Sequence, residues 1–184
     1  MEKVAKILLL AESVWAFGSG LFLPIFAIFS ERVGGDILDA GIAAALFLLA
    51  TSTMQLPLGA WLDKLKEKWF VVFAYFLTAF VFLGYAFVAN KWELFILQII
   101  FGVATAVGDT AWDSMYDRHT EESRSGRLWA RYHSLAGYAT ALGIIIGAAA
   151  VHFYGFSIVF IAGSLFAFAA GMIAAIFLKN SNNQ

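Results

Sequence analysis

The stretch of sequence that decides the fold is Gly59-Ala60-Trp61-Leu62-Asp63-Lys64-Leu65-Lys66-Glu67-Lys68. Its charged part is short and lies between two long apolar runs, 37–62 and 69–89. Each run is long enough to cross a bilayer as a helix, which takes about 20 apolar residues, whereas the charges between them have to stay in water. The stretch therefore predicts a turn at the membrane surface that joins two membrane-spanning helices.

The composition of the whole chain agrees with a membrane protein. Of its 184 residues, 61% are hydrophobic and only 14% are charged, against about 45–50% apolar and about 25% charged residues in soluble domains. The net charge of −1 gives no basic excess for binding nucleic acid. The chain contains no cysteine, which excludes disulfides and thiolate metal sites.

Six apolar stretches are long enough to span a bilayer, at about 5–30, 38–62, 69–89, 94–116, 128–153 and 156–178. They are too long and too uniformly apolar for barrel strands, which alternate over segments of about ten residues. Helices remain, because lipid offers no partner for free backbone groups. We therefore predict an all-α membrane protein, a single domain over 1–184 with six transmembrane helices.

The basic residues predict the orientation of the helices. With six spans, one side of the membrane carries both termini and the second and fourth turns. The basic residues on that side are Lys3, Lys6, Lys64, Lys66, Lys68, Arg118, Arg124, Arg127, Arg131 and Lys179. Arg32 and Lys91 lie on the other side. By the positive-inside rule, both termini face the cytoplasm and the protein is a multi-pass protein of the cytoplasmic membrane.

The charged turn resembles the loop between the second and third helices of the major facilitator superfamily, a family of transporters. That loop reads Gly-x-x-x-Asp-Arg/Lys-x-Gly-Arg/Lys-Arg/Lys, and its matches here are Gly59, Asp63, Lys64 and Lys68. Lys66 stands where the second glycine belongs, and Glu67 replaces a basic residue.

A second resemblance lies in the fourth turn and the helix that follows it. The run 121–127 looks like the family's acidic-Arg-Gly-Arg turn, and Gly137, Gly143 and Gly147 follow it. Gly143 and Gly147 form a small-xxx-small face, which favours close helix packing in membranes. Ile144 stands where drug antiporters of the family carry proline, which argues against a drug/proton antiporter.

In this family each half has six helices built from a three-plus-three inverted repeat, and members usually carry two halves related by an axis along the membrane normal. The resemblance therefore implies that this chain is one half and works as a homodimer. A heterodimer with a different half, or a shortened form of a longer protein, are the alternatives.

The charged turn is also a candidate gate. Asp63 follows the cytoplasmic end of a helix, where the macrodipole disfavours an anion, so a cationic partner or the start of another helix should compensate it. We expect Gly59 to allow close helix approach. The candidate gating residues are Gly59, Asp63, Lys64, Lys68, Asp117 and Arg118.

Charged residues inside the spans are the candidate functional residues, because charge at membrane depth is costly. Asp109 is about 22 Å from the outer start of the fourth span at 1.5 Å per residue, and Asp113 is one turn further on. The first and fourth helices line the central cavity in the family. The resemblance therefore implies that Glu12, Trp15, Asp109, Trp112 and Asp113 are candidate substrate and proton residues. Arg131 and His133, near the start of the fifth span, are expected at a comparable depth and complete the set.

An acid beside an aromatic ring suits a cationic or sugar-like ligand. A carboxyl group that is removed from water favours its neutral form, so it can carry a proton across the membrane. Static roles are the alternative: Asp109 pairs with Arg131, and Asp113, Asp117 and Arg118 support the Asp63 turn.

The remaining tryptophans suggest a simpler role. Trp61, Trp69, Trp92 and Trp129 fall at span ends and are expected to be interfacial anchors.

No pattern in the sequence indicates an enzyme, a cofactor or a metal site. We predict a secondary active transporter of a small solute that works by alternating access and is coupled to protons. Its expected partners are the lipid bilayer, a second copy of itself, a small-molecule substrate and protons. The alternatives are a membrane scaffold or accessory subunit that does not transport, and an uncoupled channel or scramblase.

Overall fold

The computed structural model describes residues 3–62, 67–119 and 125–180. Within them it contains seven α-helices and no strand. The helices are α1 (Lys3–Gly20), α2 (Phe26–Arg32), α3 (Ile37–Leu62), α4 (Glu67–Tyr85), α5 (Lys91–Arg118), α6 (Ser125–Tyr154) and α7 (Phe156–Asn180). The all-helical fold class predicted from the sequence is confirmed for this part of the chain.

Five helices, α3 to α7, are long and apolar enough to cross a membrane. The predicted first span, 5–30, is divided between α1 and α2 by a 3-10 turn at Leu23–Ile25. Pro24 lies in this turn and has no backbone N–H to continue a helix. Because α1 also carries Lys3, Lys6 and Glu12, a sixth span stays a prediction.

The helices pack in a curved row. The main contacts join α3 to α5, α5 to α4, α4 to α7, α7 to α1, and α1 to α6. The helices at the two ends of the row are the least covered, with 17% of the apolar window of α3 and 11% of that of α6 buried, against 50% for α4. The row therefore has a closed back, built on α4 and α7, and two open ends.

Glycines fix the contacts of both end helices. A Cβ at Gly143 of α6 would collide with the backbone of α1 at Phe17, and one at Gly147 with the backbone of Leu21, the residue that follows α1. A Cβ at Gly102 of α5 would lie 2.5 Å from the Phe47 carbonyl oxygen of α3. The predicted small-residue face of α6 is thus a close helix contact, as expected where lipid gives no hydrophobic drive for helix association.

Side-chain hydroxyls add hydrogen bonds between the helices. Thr51 of α3 donates to the Gly102 carbonyl (3.1 Å), and Ser164 of α7 donates to the Ala79 carbonyl of α4 (2.8 Å). Such bonds contribute about 0.6 kcal/mol each on average inside membranes. They hold the helices in register more than they stabilise the fold.

The two ends of the bundle differ in charge. We name the end where α3 ends and α4 begins the basic end, and the opposite end the far end. At the far end, the Lys91 ammonium lies 3.1 Å from the Asp39 carboxylate and ties α5 to α3. Asn90 caps α5 by accepting hydrogen bonds from the backbone N–H groups of Trp92 (3.1 Å) and Glu93 (3.2 Å).

The α1–α6 contact predicts the effect of one added methyl group. In Gly147→Ala, the new Cβ would lie 2.6 Å from Leu21 Cα, so the helices must separate, and such overpacking costs about 1–3 kcal/mol. We expect a lower melting temperature for the detergent-solubilised protein. Gly137→Ala is the matched control, because no described atom lies within 4 Å of a Cβ there. Equal melting temperatures for the two variants would contradict the proposed contact.

Candidate functional site

A cavity of about 360 Å³ lies on the inner side of the curved row. We name it the acidic cavity. Five helices line it, with the residues Glu12, Trp15, Gln55, Val71, Tyr75, Thr78, Ala104, Thr105, Gly108, Asp109, Trp112, Asp113, Trp129, Tyr132 and His133. Because Gln55 belongs to α3 and Tyr132 to α6, both end helices flank the same space.

Three carboxyl groups face this cavity from two helices. Glu12 of α1 is half-buried and accepts a hydrogen bond from the Tyr75 hydroxyl at 2.9 Å. Asp109 and Asp113, one turn apart on α5, are exposed. Among the described lining residues there is no lysine or arginine. The cavity is therefore acidic, and the only basic side chain among its described lining residues is that of His133.

One wall of the cavity is a cluster of aromatic rings from α5 and α6. The ring of Trp112 lies 4.4 Å from that of Tyr132 and 6.4 Å from that of Trp129, between centroids. Behind it, Tyr116 stacks on Trp112 at 4.7 Å and donates a hydrogen bond to the Leu128 carbonyl at 2.9 Å. We name Trp112, Trp129 and Tyr132 the aromatic wall.

Two polar atoms of the lining residues have no hydrogen-bond partner among the described residues. The Trp112 Nε1 and Thr105 Oγ1 atoms are buried and make no hydrogen bond within the described part of the chain. Trp112 is only 3% exposed. A buried donor without an acceptor costs about 1–3 kcal/mol, so these atoms indicate polar contacts that the described residues do not supply.

The structure places most of the predicted substrate and proton residues in this one space. The lining residues among them are Glu12, Trp15, Asp109, Trp112, Asp113 and His133. Arg131 is exposed and is not part of the lining in the described residues. No ion pair joins Asp109 to Arg131 in the described helices α5 and α6, so the static pair considered from the sequence is not formed.

Three aromatic lining residues were missed or misplaced in the prediction from sequence. Trp129 was expected to be an interfacial anchor, but it lies in the aromatic wall because α6 turns that face toward α5. Tyr75 was not considered, although a tyrosine and Thr78 one turn apart in an apolar span are a detectable signal. Tyr132 lies one turn after Trp129 and beside His133, and the same spacing argument would have found it.

The candidate gate is only partly visible. Asp63 and Lys64 lie outside the described residues. No described atom lies within 4 Å of a Cβ at Gly59, so the close helix approach expected there is not found. The Lys68 ammonium lies 5.4 Å from the Trp69 ring centroid, and Asp117 is exposed.

Glu67, the departure from the family's loop, has a clear role at the basic end. Its side chain is only 10% exposed, and its carboxylate lies 3.1 Å from the Arg118 guanidinium. It also accepts a hydrogen bond from the Ser114 hydroxyl at 2.9 Å. Arg118 was expected to partner the Asp63 turn; within the described part of that turn it pairs with Glu67, at the start of α4, while Asp63 lies outside the described residues. This three-residue clamp joins α4 to α5.

Metal binding has no support in the described residues. They contain no group of three or more histidine, aspartate or glutamate side chains that could hold a metal ion.

Known proteins similar to this chain include one named as a transporter and others named as multidrug resistance proteins. An uncharacterized MFS-type transporter of Methanocaldococcus jannaschii is 26% identical over 176 residues, which cover 96% of this chain and 45% of that protein. The multidrug resistance protein MdtG of Serratia proteamaculans is 23% identical over 162 residues, 86% of this chain and 39% of that protein. MdtG of Salmonella typhimurium is 22% identical over 146 residues, 77% and 36% respectively.

The chain thus spans less than half the length of these relatives. The sequence model of the Major Facilitator Superfamily matches residues 8–184. This confirms the resemblance found in the charged turn and agrees with the prediction that the chain is not an enzyme. With a family match over nearly its whole length and five helices long and apolar enough to span a bilayer, this chain is a multi-pass integral membrane protein that belongs to the Major Facilitator Superfamily.

Proposed function

We propose that this protein is a secondary active transporter of a small solute, coupled to protons and working by alternating access at the acidic cavity. The observation that carries the proposal is the meeting of Glu12 from α1 with Asp109 and Asp113 from α5 around one cavity. Acids at membrane depth are costly and mark substrate or proton pathways. A scaffold that only packs helices has no need of three acids around one cavity.

The pattern of helix contacts supports six spans built as a three-plus-three inverted repeat. If α1 with α2 counts as the first span, exchanging each span with the one three places later turns the α3–α5 contact into the α6–α1 contact. The same exchange turns α4–α5 into α7–α1 and leaves α4–α7 unchanged. Inverted repeats of this kind place the substrate site at the interface between repeats, where α1 and α5 hold the acids.

A second unit would close the open side of the cavity. Asp109 and Asp113 line the cavity and are exposed, and contact with acyl chains would be unfavourable for both. A two-fold axis along the membrane normal, through the mouth of the curved row, brings α3 of one unit against α6 of the other. We propose that a second copy of this chain supplies this unit and that rocking of the two units exposes the cavity alternately to each side.

Glu12 is the proposed proton carrier. Its carboxylate accepts a hydrogen bond from the Tyr75 hydroxyl at 2.9 Å, whereas Asp109 and Asp113 are left open to a ligand.

Because the basic residues lie on one side of the predicted spans, we place both termini in the cytoplasm and the protein in the cytoplasmic membrane. The uncoupled channel and the scaffold are the competing functions that the following test separates.

Transport in proteoliposomes tests the function. Under an inward proton gradient, we expect accumulation of at least one labelled solute from a panel of organic cations and sugars, and its loss when a protonophore collapses the gradient. Glu12→Gln should lower gradient-driven uptake by about tenfold or more, equivalent to about 1.4 kcal/mol. Glu93→Gln is the matched control, because Glu93 is exposed at the start of α5. Uptake at the same rate with and without the proton gradient would indicate a channel. Absence of uptake for every solute in the panel would indicate a scaffold.

Cross-linking tests the second unit. Leu49 of α3 and Leu142 of α6 are 63% and 57% exposed, and each lies twelve residues from the far end of its helix. Since the chain has no cysteine, the double variant Leu49→Cys/Leu142→Cys in native membranes should give a disulfide-linked dimer of twice the chain mass. Neither single variant should do so. This arrangement would be contradicted if only the single variants formed disulfide-linked dimers, or if the double variant stayed monomeric.

A charge exchange tests the clamp at the basic end. Glu67→Arg restores the basic residue of the family's loop. It also places a second cation next to Arg118. Because the Glu67 side chain is nearly buried, we expect a loss of about 1–3 kcal/mol in stability and slower uptake. Adding Arg118→Glu should recover a large part of both, as measured by melting temperature and initial uptake rate. If the double variant is no better than Glu67→Arg, the clamp has no role as a pair.

A further inference from the structure

We infer that the acidic cavity recognises an organic ammonium cation, with its charge at Asp109 and Asp113 and its apolar groups against the aromatic wall. This inference deepens the proposed function and rests on it only in taking the acidic cavity as the substrate site. It selects one of the two ligand classes, cationic and sugar-like, that the sequence left open.

The balance of charge in the wall is the first argument. Three acids line the cavity, and no lysine or arginine lines it within the described chain. Arg131 is exposed outside the lining, and His133 is the remaining titratable base there. A neutral sugar would leave the negative charge of these acids uncompensated at membrane depth. A monocation pairs with that charge and so lowers the free-energy cost of burying it.

The chemistry of the aromatic wall is the second argument. Trp112, Trp129 and Tyr132 come from two helices and lie within 4.4–6.4 Å of one another. Trp15 lines the cavity from α1, and Tyr75 from α4. Ring faces attract cations within about 6 Å, tryptophan most strongly, and aromatic cages beside acids are the common way in which proteins bind quaternary ammonium groups. The alkyl groups of an alkylated ammonium can also pack against the apolar ring faces, whereas the water shell of a hydrated metal ion cannot.

The unpartnered polar atoms give the third argument. Trp112 is almost fully buried, and its indole N–H has no acceptor among the described residues; the Thr105 hydroxyl has none either. Both residues line the acidic cavity. A ligand that carries an oxygen acceptor near its cationic group would satisfy such a donor. The volume of about 360 Å³ on one unit falls within the range of about 300–1,000 Å³ for small-molecule sites.

The test compares choline with 3,3-dimethyl-1-butanol, its neutral isostere with carbon in place of nitrogen. Calorimetric titration of the full chain in detergent should show choline binding at least about tenfold more tightly than the isostere. Because this comparison uses the unaltered chain, it does not depend on whether a variant folds. Equal affinities, or no binding of choline to the folded chain, would overturn the inference.

Variants locate the site. Asp109→Asn should weaken choline binding by about tenfold or more while changing isostere binding little. Trp129→Leu should weaken choline binding by about 2-fold to 30-fold, the range for one cation–π contact of about 0.5–2 kcal/mol. Trp92→Leu is the matched control, because Trp92 is 66% exposed at the far end and outside the cavity. An equal loss with Trp92→Leu would overturn the assignment to the aromatic wall.

The outcome is separable from that of the proposed function. If choline shows no preference over its isostere but the protein accumulates a neutral solute with the proton gradient, the cation inference fails and the transporter stands. If choline binds with the expected preference and no solute is ever accumulated, the site is as inferred and the transport function fails.

Discussion

The structure depends on one constraint, namely that carboxyl groups inside an apolar helix bundle need compensation. Glu12, Asp109 and Asp113 gather around a single cavity whose described lining has no lysine or arginine. Within the described chain, the Tyr75 hydroxyl donates a hydrogen bond to Glu12, and the other two acids are exposed. A charge at membrane depth costs at least about 2.5–3.5 kcal/mol. The acids are therefore tolerable only where protons, a cation, water or a second unit shares the cavity.

The rest of the bundle positions the two helices that carry these acids. The contact between α4 and α7 forms the back, and each of these helices also holds one acid-bearing helix, α5 or α1. Each acid-bearing helix then packs closely on one end helix through glycine, at Gly102 for α5 and at Gly143 and Gly147 for the α1–α6 pair. Small residues allow this without a hydrophobic drive. By these contacts the long helices form two groups, α3 with α5 and α4, and α6 with α1 and α7, and both groups contribute to the lining of the acidic cavity.

The positions of the long helices, and of the acids within them, could be predicted from the sequence. Long apolar runs and isolated charges inside them are both easy to recognise in a sequence. Five of the predicted spans correspond to helices that satisfy the same criteria in the structure, and Asp109 and Asp113 stood out as charges inside one of them. Side chains that suit several environments were harder to place. A tryptophan at a span end, such as Trp129, fits a membrane interface and a cavity wall equally. Likewise Gly59 and Gly102 look alike in sequence, and only the packing shows which has a neighbour.

The aromatic wall gains its importance from where it lies between the two groups of helices. The main backbone contacts do not include α5 with α6, yet the rings of Trp112 and Tyr116 on α5 meet those of Trp129 and Tyr132 on α6. The Tyr116 hydroxyl also donates to the Leu128 carbonyl, which fixes the start of α6. Rings at these separations contribute about 0.5–1.5 kcal/mol per pair beyond the area that they bury. A ligand that rests on this wall therefore contacts both groups at once, and its binding free energy depends on how α5 and α6 lie relative to each other. That dependence is what a ligand needs in order to shift the balance between two arrangements of the same helices.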